Sequence, residues 1–96
     1  MQGTRLPDAT LGEAGPGWEA WANGNAVIGA YMKVFNGSDK PYWYIRDPKG
    51  DIGTIGTHTV TEHEDGTITV SPSIAPGPRN PGGWHGFLER GVWRSV

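Results

Sequence analysis

Over the first sixteen positions apolar residues stand singly among Gly, Pro and small polar residues, so residues 1–16 have little to bury and read as a loose arm or a strap along a sheet. The first periodic signal comes at Pro16 to Ala22, where Trp18 and Trp21 stand three apart on one side of a one- or two-turn helix that Asn23-Gly24 ends. No longer stretch keeps a helical rhythm. From Asn25 onward, β-prone runs alternate with turn clusters. Ala26–Phe35 carries Val27, Ile28, Tyr31, Val34 and Phe35 and runs into Asn36-Gly37-Ser38-Asp39-Lys40, which reverses the chain. Tyr42–Arg46 follows, bounded by the turn Asp47-Pro48-Lys49-Gly50. Asp51–Thr57 is lighter, with Ile52 and Ile55 among Gly residues, and reads as a short edge strand or bulged segment.

Thr57 to Ser73 forms a hairpin for which two registers compete. A two-residue turn at Asp65-Gly66 would mix polar and apolar residues on both faces. A three-residue loop at Glu64-Asp65-Gly66 pairs Val60 with Val70 and Glu62 with Ile68, which gathers Val60, Ile68 and Val70 on one face, and this register is favoured. Pro72 to Gly83 holds too many Pro and Gly for a regular element and reads as a long loop of the kind that often carries binding. Trp84–Leu88 then returns through a three-residue loop, Glu89-Arg90-Gly91, to Val92–Val96, pairing Phe87 with Trp93 and Leu88 with Val92. The expected fold is mainly β: one domain over residues 1–96, its core in 25–96. It is a small antiparallel twisted sheet or partly open barrel of five to seven short strands, with at most one short helix near Trp18.

Composition narrows the chemistry. The 96 residues include five Trp, three Tyr and two Phe but no Cys, so stability must come from aromatic packing, and thiol catalysis, thiolate metal sites and disulfides are excluded. A net charge of −2 with both signs interspersed offers no basic face for nucleic acid. No apolar run approaches the length of a membrane span, and the start of the chain lacks the order of a signal peptide, so a cytoplasmic protein is expected. Asn36-Gly37-Ser38 is accordingly read as a turn rather than a glycosylation acceptor.

His58, His63 and His85 are the candidates for metal binding. His58 and His63 are separated by an odd number of positions, so they face opposite sides of a strand and make poor co-ligands. The serines lie in no nucleophile motif, and Asp47, Asp51, Glu62, Glu64 and Asp65 fall mostly in turns, so no catalytic residue is assigned and no cofactor is called for. Tyr42, Trp43 and Tyr44 alternate, and two aromatic faces cannot both be buried in a thin two-layer domain, so one is expected to be exposed. With Arg46, Arg90 and Arg94 nearby, these are the residue types enriched at binding hot spots, and the candidate binding residues are Trp43, Tyr44, Arg46, Trp84, His85, Trp93 and Arg94.

The run His58-Thr-Val-Thr-Glu-His-Glu-Asp-Gly-Thr-Ile-Thr-Val-Ser-Pro-Ser-Ile74 with Gly83-Trp-His-Gly-Phe-Leu-Glu-Arg-Gly-Val-Trp93 resembles short proteins encoded by phages of actinobacteria, a group with no assigned chemistry. It is also distantly similar to a bacterial family of unknown function ending in Pro-Ser-Ile, Ser-His and Gly-x-Val-Trp segments. In that family, Cys and His before Pro-Ser-Ile are consistent with a bound metal. This chain has no Cys, and His85 alone matches the family's His. The resemblance implies a phage origin and the cytoplasm of an infected host. The leading expectation is a non-enzymatic phage accessory protein that binds a host or phage protein. The alternatives are a module holding a nucleotide or sugar in a pocket lined by Trp43, Trp84 and Trp93, and a metal-dependent hydrolase using His58, His63 or His85. An edge strand, Asp51–Thr57 or Val92–Val96, can also pair with its own copy unless it is covered.

Overall fold

The computed structural model describes residues 1–22, 26–37, 40–56, 58–76 and 81–96. Its elements are, in chain order, β1 (Thr4–Arg5), β2 (Ala9–Thr10), α1 (Pro16–Ala22), β3 (Ala30–Phe35), β4 (Tyr42–Arg46), β5 (Ile52–Thr54), β6 (Thr59–Glu62), β7 (Ile68–Ile74), β8 (Gly86–Glu89) and β9 (Val92–Ser95). They build two sheets. The first runs β1-β3-β4-β5, with β2 also paired to β3, and the second runs β6-β7-β8-β9. The expected class holds: the protein is mainly β and rich in antiparallel pairs, with one short helix and no closed barrel. The elements beyond the expected five to seven strands include β1 and β2, two-residue pieces too short to show a pattern in the sequence.

The alternation in β4 decides the layering. Trp43 and Ile45 point towards the second sheet and join Tyr31, Ile55, Ile68, Val70, Ile74, Trp84, Leu88 and Trp93 in one buried cluster. Tyr42 and Tyr44 point the other way and pack with Ala9, Met32, Val34, Leu6, Trp18 and Trp21. The expectation that one aromatic face would be exposed is therefore corrected, because α1 and the N-terminal segment add a third layer. Pro16 begins the helix, where its missing N–H costs nothing. Trp18 and Trp21 meet the Tyr44 ring edge-on at 5.4 and 6.1 Å. The indole of Trp18 donates to the Thr10 carbonyl at 2.8 Å. The helix ends as expected at Ala22, and the Asn23-Gly24 stop lies outside the described residues.

The N-terminal segment works as a strap between the sheets. Gly3 N–H donates to the Gly91 carbonyl and Trp93 N–H to the Met1 carbonyl, so residues 1–3 run along β9, and Gln2 bridges Val92. One step later Thr4 and Arg5 pair in parallel with Ala30 and Tyr31, and Ala9 and Thr10 pair with Val34 and Phe35. The buried Trp93 indole adds a further tie by donating to the Gly29 carbonyl at 2.8 Å. One flank of the sandwich is thus closed by backbone.

Three other readings are adjusted. The strand read from Ala26 begins at Ala30, because Gly29 is left-handed (φ 86°) and Ala30 N–H closes a turn on Val27. Pro72, Ser73 and Ile74 belong to β7 and not to a loop. Between the pairs Val70–Leu88 and Ile74–Gly86 the register shifts, and that irregularity accommodates a proline that cannot donate to the ladder. The rest of the expected loop includes residues 77–80, outside those described, as are Ser38 and Asp39 of the 36–40 turn. Finally, the β8–β9 turn has two residues, so Leu88 faces Trp93 and Phe87 faces Arg94. Arg90 (φ 46°) and Gly91 (φ 76°) are both left-handed, the turn geometry whose twist matches paired strands, and this register puts Leu88 and Trp93 together in the core. By contrast the β6–β7 register is the expected one, with Val60 opposite Val70 and Glu62 opposite Ile68.

Candidate functional site

Opposite the strap, the sandwich is open along β5. Asp47 N–H donates to the Asp51 carbonyl and Ile55 N–H to the Trp43 carbonyl, so the peptide groups of residues 51, 53 and 55 face β4. By strand alternation those of Ile52 and Thr54 face outward, and they have no backbone partner among the described residues. The Ile52 side chain is 56% exposed.

Two recesses flank this edge. One, of about 430 Å³, is lined by residues that include Pro41, Trp43, Thr54, Ile55, His58 and Val60. The other, of about 330 Å³, is lined by residues that include Ile45, Gly53, Ile55, His58, Ile74 and Trp84, with Asp47 and Asp51 also on its wall. Both volumes fall in or near the range that holds small ligands or partner side chains, roughly 300–1,000 Å³.

His58 borders both recesses. Its Nε2 lies 3.1 Å from the Ser73 carbonyl, which can only accept, so this nitrogen is the donor, and in the neutral ring Nδ1 is an acceptor. That Nδ1 is buried with no hydrogen-bond partner among the described residues. An unmet buried acceptor costs about 1–3 kcal/mol, a cost that falls beside the opening. Asp47, by contrast, is buried and satisfied: its carboxylate accepts from Lys49 N–H and Asp51 N–H and closes the turn before β5.

The sequence-derived candidates do not converge. Trp43 lines the larger recess and Trp84 the smaller, both buried, whereas Trp93 lines neither and spends its N–H on Gly29. Neither of these two recesses is lined by all three Trp. Tyr44 faces α1, on the other side of its sheet. The Arg46 guanidinium is held by the carbonyls of Gly50 and Ala26, at 3.0 and 2.5 Å. Arg94 is exposed, pairs with Glu89 and lies 5.2 Å from the Phe87 ring. His85 is exposed, with Nε2 3.1 Å from the Ser73 hydroxyl.

As metal ligands the three histidines fare no better. His63 bonds the Thr69 hydroxyl at 2.7 Å in the β6–β7 hairpin, while His58 and His85 meet opposite polar groups of Ser73. No group of three His, Asp or Glu that could hold an ion occurs among the described residues. Ser73 and His85 have the spacing of a nucleophile and base, but no described side chain orients the far nitrogen of His85, which such a pair requires.

Sequence reasoning missed the opening itself. Residues Gly53, Ile55 and Ile74 define it, and its signal was the light, Gly-rich run after Asp51. Another cluster lies at the hairpin tip: Glu62 accepts from Arg5 and Lys33, both at 2.8 Å, and those cations stand 5.1 and 6.0 Å from the Trp43 ring. The two cations hold the Glu62 carboxyl below its usual range, the Lys33 bond contributing first and the Arg5 bond next. Arg5 also pairs with Asp8 at 3.0 Å, so the two cations are balanced by two carboxylates, and the cluster fastens the hairpin to β1 and β3. No described helix is long and apolar enough to cross a membrane. Comparison with protein-family models, curated proteins and solved structures finds no match to this chain.

Proposed function

We propose that the protein is a non-enzymatic phage accessory protein that binds a host or phage protein through the open side of its sandwich, in the cytoplasm of the infected cell. The observation that carries the binding reading is the outer edge of β5, unpaired among the described residues, set between two recesses and bearing an exposed Ile52. Unpaired strand edges are adhesive, and an exposed apolar residue there is a contact for a partner. The phage origin rests on the resemblance carried by residues 58–93. Immobilised protein exposed to lysates of infected and uninfected actinobacterial host should retain one saturable partner, and Ile52→Lys should abolish its capture. No saturable partner, or one indifferent to Ile52→Lys, would contradict the proposal.

A second reading, a nucleotide or sugar held beside Trp43, is favoured by the volume of the larger recess. Native mass spectrometry of protein purified from its host would then show an added mass of that size.

A further inference from the structure

We infer that the partner docks as an extended strand added to the outer edge of β5, with one apolar side chain inserted where Gly53 leaves the core unfilled; this rests on the protein-binding reading above. The outward N–H and C=O groups of Ile52 and Thr54 are a short ladder half, and the chemistry that completes it is another extended backbone.

The side-chain geometry follows from the register. Gly53 pairs with Ile45, so its Cα faces the second sheet, as Ile45 does. A core-facing residue at this edge would normally bury an apolar side chain. Here there is none, and a Cβ built at Gly53 meets nothing within 4 Å. The space is the recess walled by Ile45, Ile55, Ile74 and Trp84. On a strand added beside β5, the residue opposite Gly53 points to the same face and into this recess. The residues opposite Ile52 and Thr54 point to the other face, where Ile52 offers exposed apolar surface. Asp47 and Asp51 are the charged residues among those described on the recess wall, which favours a Lys or Arg near the anchoring residue.

The probe is a displayed library of random linear peptides selected on the intact protein, followed by titration of a synthetic selected peptide into isotope-labelled protein. Selected sequences should share one apolar residue in a β-prone segment, with a basic neighbour. Amide shifts should be largest at Ile52 to Ile55 and at the Trp84 indole. Gly53→Leu fills the recess, and Thr54→Pro removes an outward donor without touching the β4 ladder. Each should weaken the peptide about tenfold or more, as expected for losing one buried side chain or its ladder support, while thermal unfolding shows both variants folded. Gly53→Ala should weaken it less.

Peptides that bind both variants as tightly as the wild type would overturn strand addition and leave the protein-binding reading standing. So would a library that enriches nothing while an Ile52-dependent lysate partner is still captured, since a folded surface would then be the ligand. If the protein alone associates through β5 at rising concentration, the occupant is a second copy, and the inference falls.

Discussion

At the scale of single residues, the most telling positions are those whose neighbours contradict their local chemistry. Gly17 lies in α1, where Ala would ordinarily stabilise a helix by close to 1 kcal/mol. A Cβ there would stand 2.5 Å from the Pro7 carbonyl oxygen and 2.8 Å from the Met32 sulfur, so Gly17→Ala should instead lower stability, read as a drop in melting temperature. Trp93 makes a similar point about polar groups. Trp93→Phe keeps an aromatic in the core but removes one of the two donors to the Gly29 carbonyl, leaving Thr4 N–H at 3.2 Å, and should cost about 0.5–1.5 kcal/mol in denaturant unfolding. Neither constraint is legible in the sequence, because both depend on where a distant segment passes. The opposite faces of Trp43 and Tyr44 were legible, since strand alternation alone separates them. What covers the Tyr44 face was not, since nothing local says that α1 folds back onto β4.

At the scale of elements, the two hairpins show what local rules can decide. In β6–β7, only one loop length gathers Val60, Ile68 and Val70 on one face, so the hydrophobic pattern and the turn chemistry agree on the register. In β8–β9, Glu89-Arg90-Gly91 reads equally well as a longer loop. The outcome turns on Arg90 taking a left-handed conformation that the pairing of Leu88 with Trp93 repays. The β6–β7 hairpin is also pinned at its tip through Glu62, which supports a pH prediction. Lys33 and Arg5 keep this carboxylate charged to lower pH in the folded state than in the unfolded chain. Its contribution is therefore present above the unfolded carboxyl range and is lost as pH falls through the folded value. Wild type should exceed Glu62→Gln in melting temperature at neutral pH, with the gap closing under acid and shrinking in high salt, because the pairs are partly exposed. The β5 strand carries the complementary prediction. Gly53 is conformationally expensive in a strand and faces open space, so Gly53→Val should raise stability by about 0.5–1 kcal/mol while lowering partner binding.

At the scale of the whole molecule, the two sheets are asymmetric. On one flank the strap of residues 1–5 pairs first with β9 and then with β3. On the other flank, the outer edge of β5 meets no strand among the described residues, and two recesses flank it. The sequence announced a light segment after Asp51 but could not place it beside Ile74 and Trp84, which arrive from the second sheet. The same asymmetry explains why the aromatic residues singled out as binders, Trp43, Tyr44, Trp84 and Trp93, are mostly structural. They pack in the two apolar clusters, and the smaller recess lies beside Gly53, which has no side chain to fill it. The direct test is residue-resolved amide hydrogen exchange on the unliganded protein at native pH. The structure predicts rapid exchange at Ile52 and Thr54, whose N–H groups face outward, beside slow exchange at Gly91 and Trp93, whose N–H groups are bonded to Ile68 and Met1. Slow exchange at Ile52 and Thr54 would contradict the account, because the edge on which the proposed binding depends would already be paired.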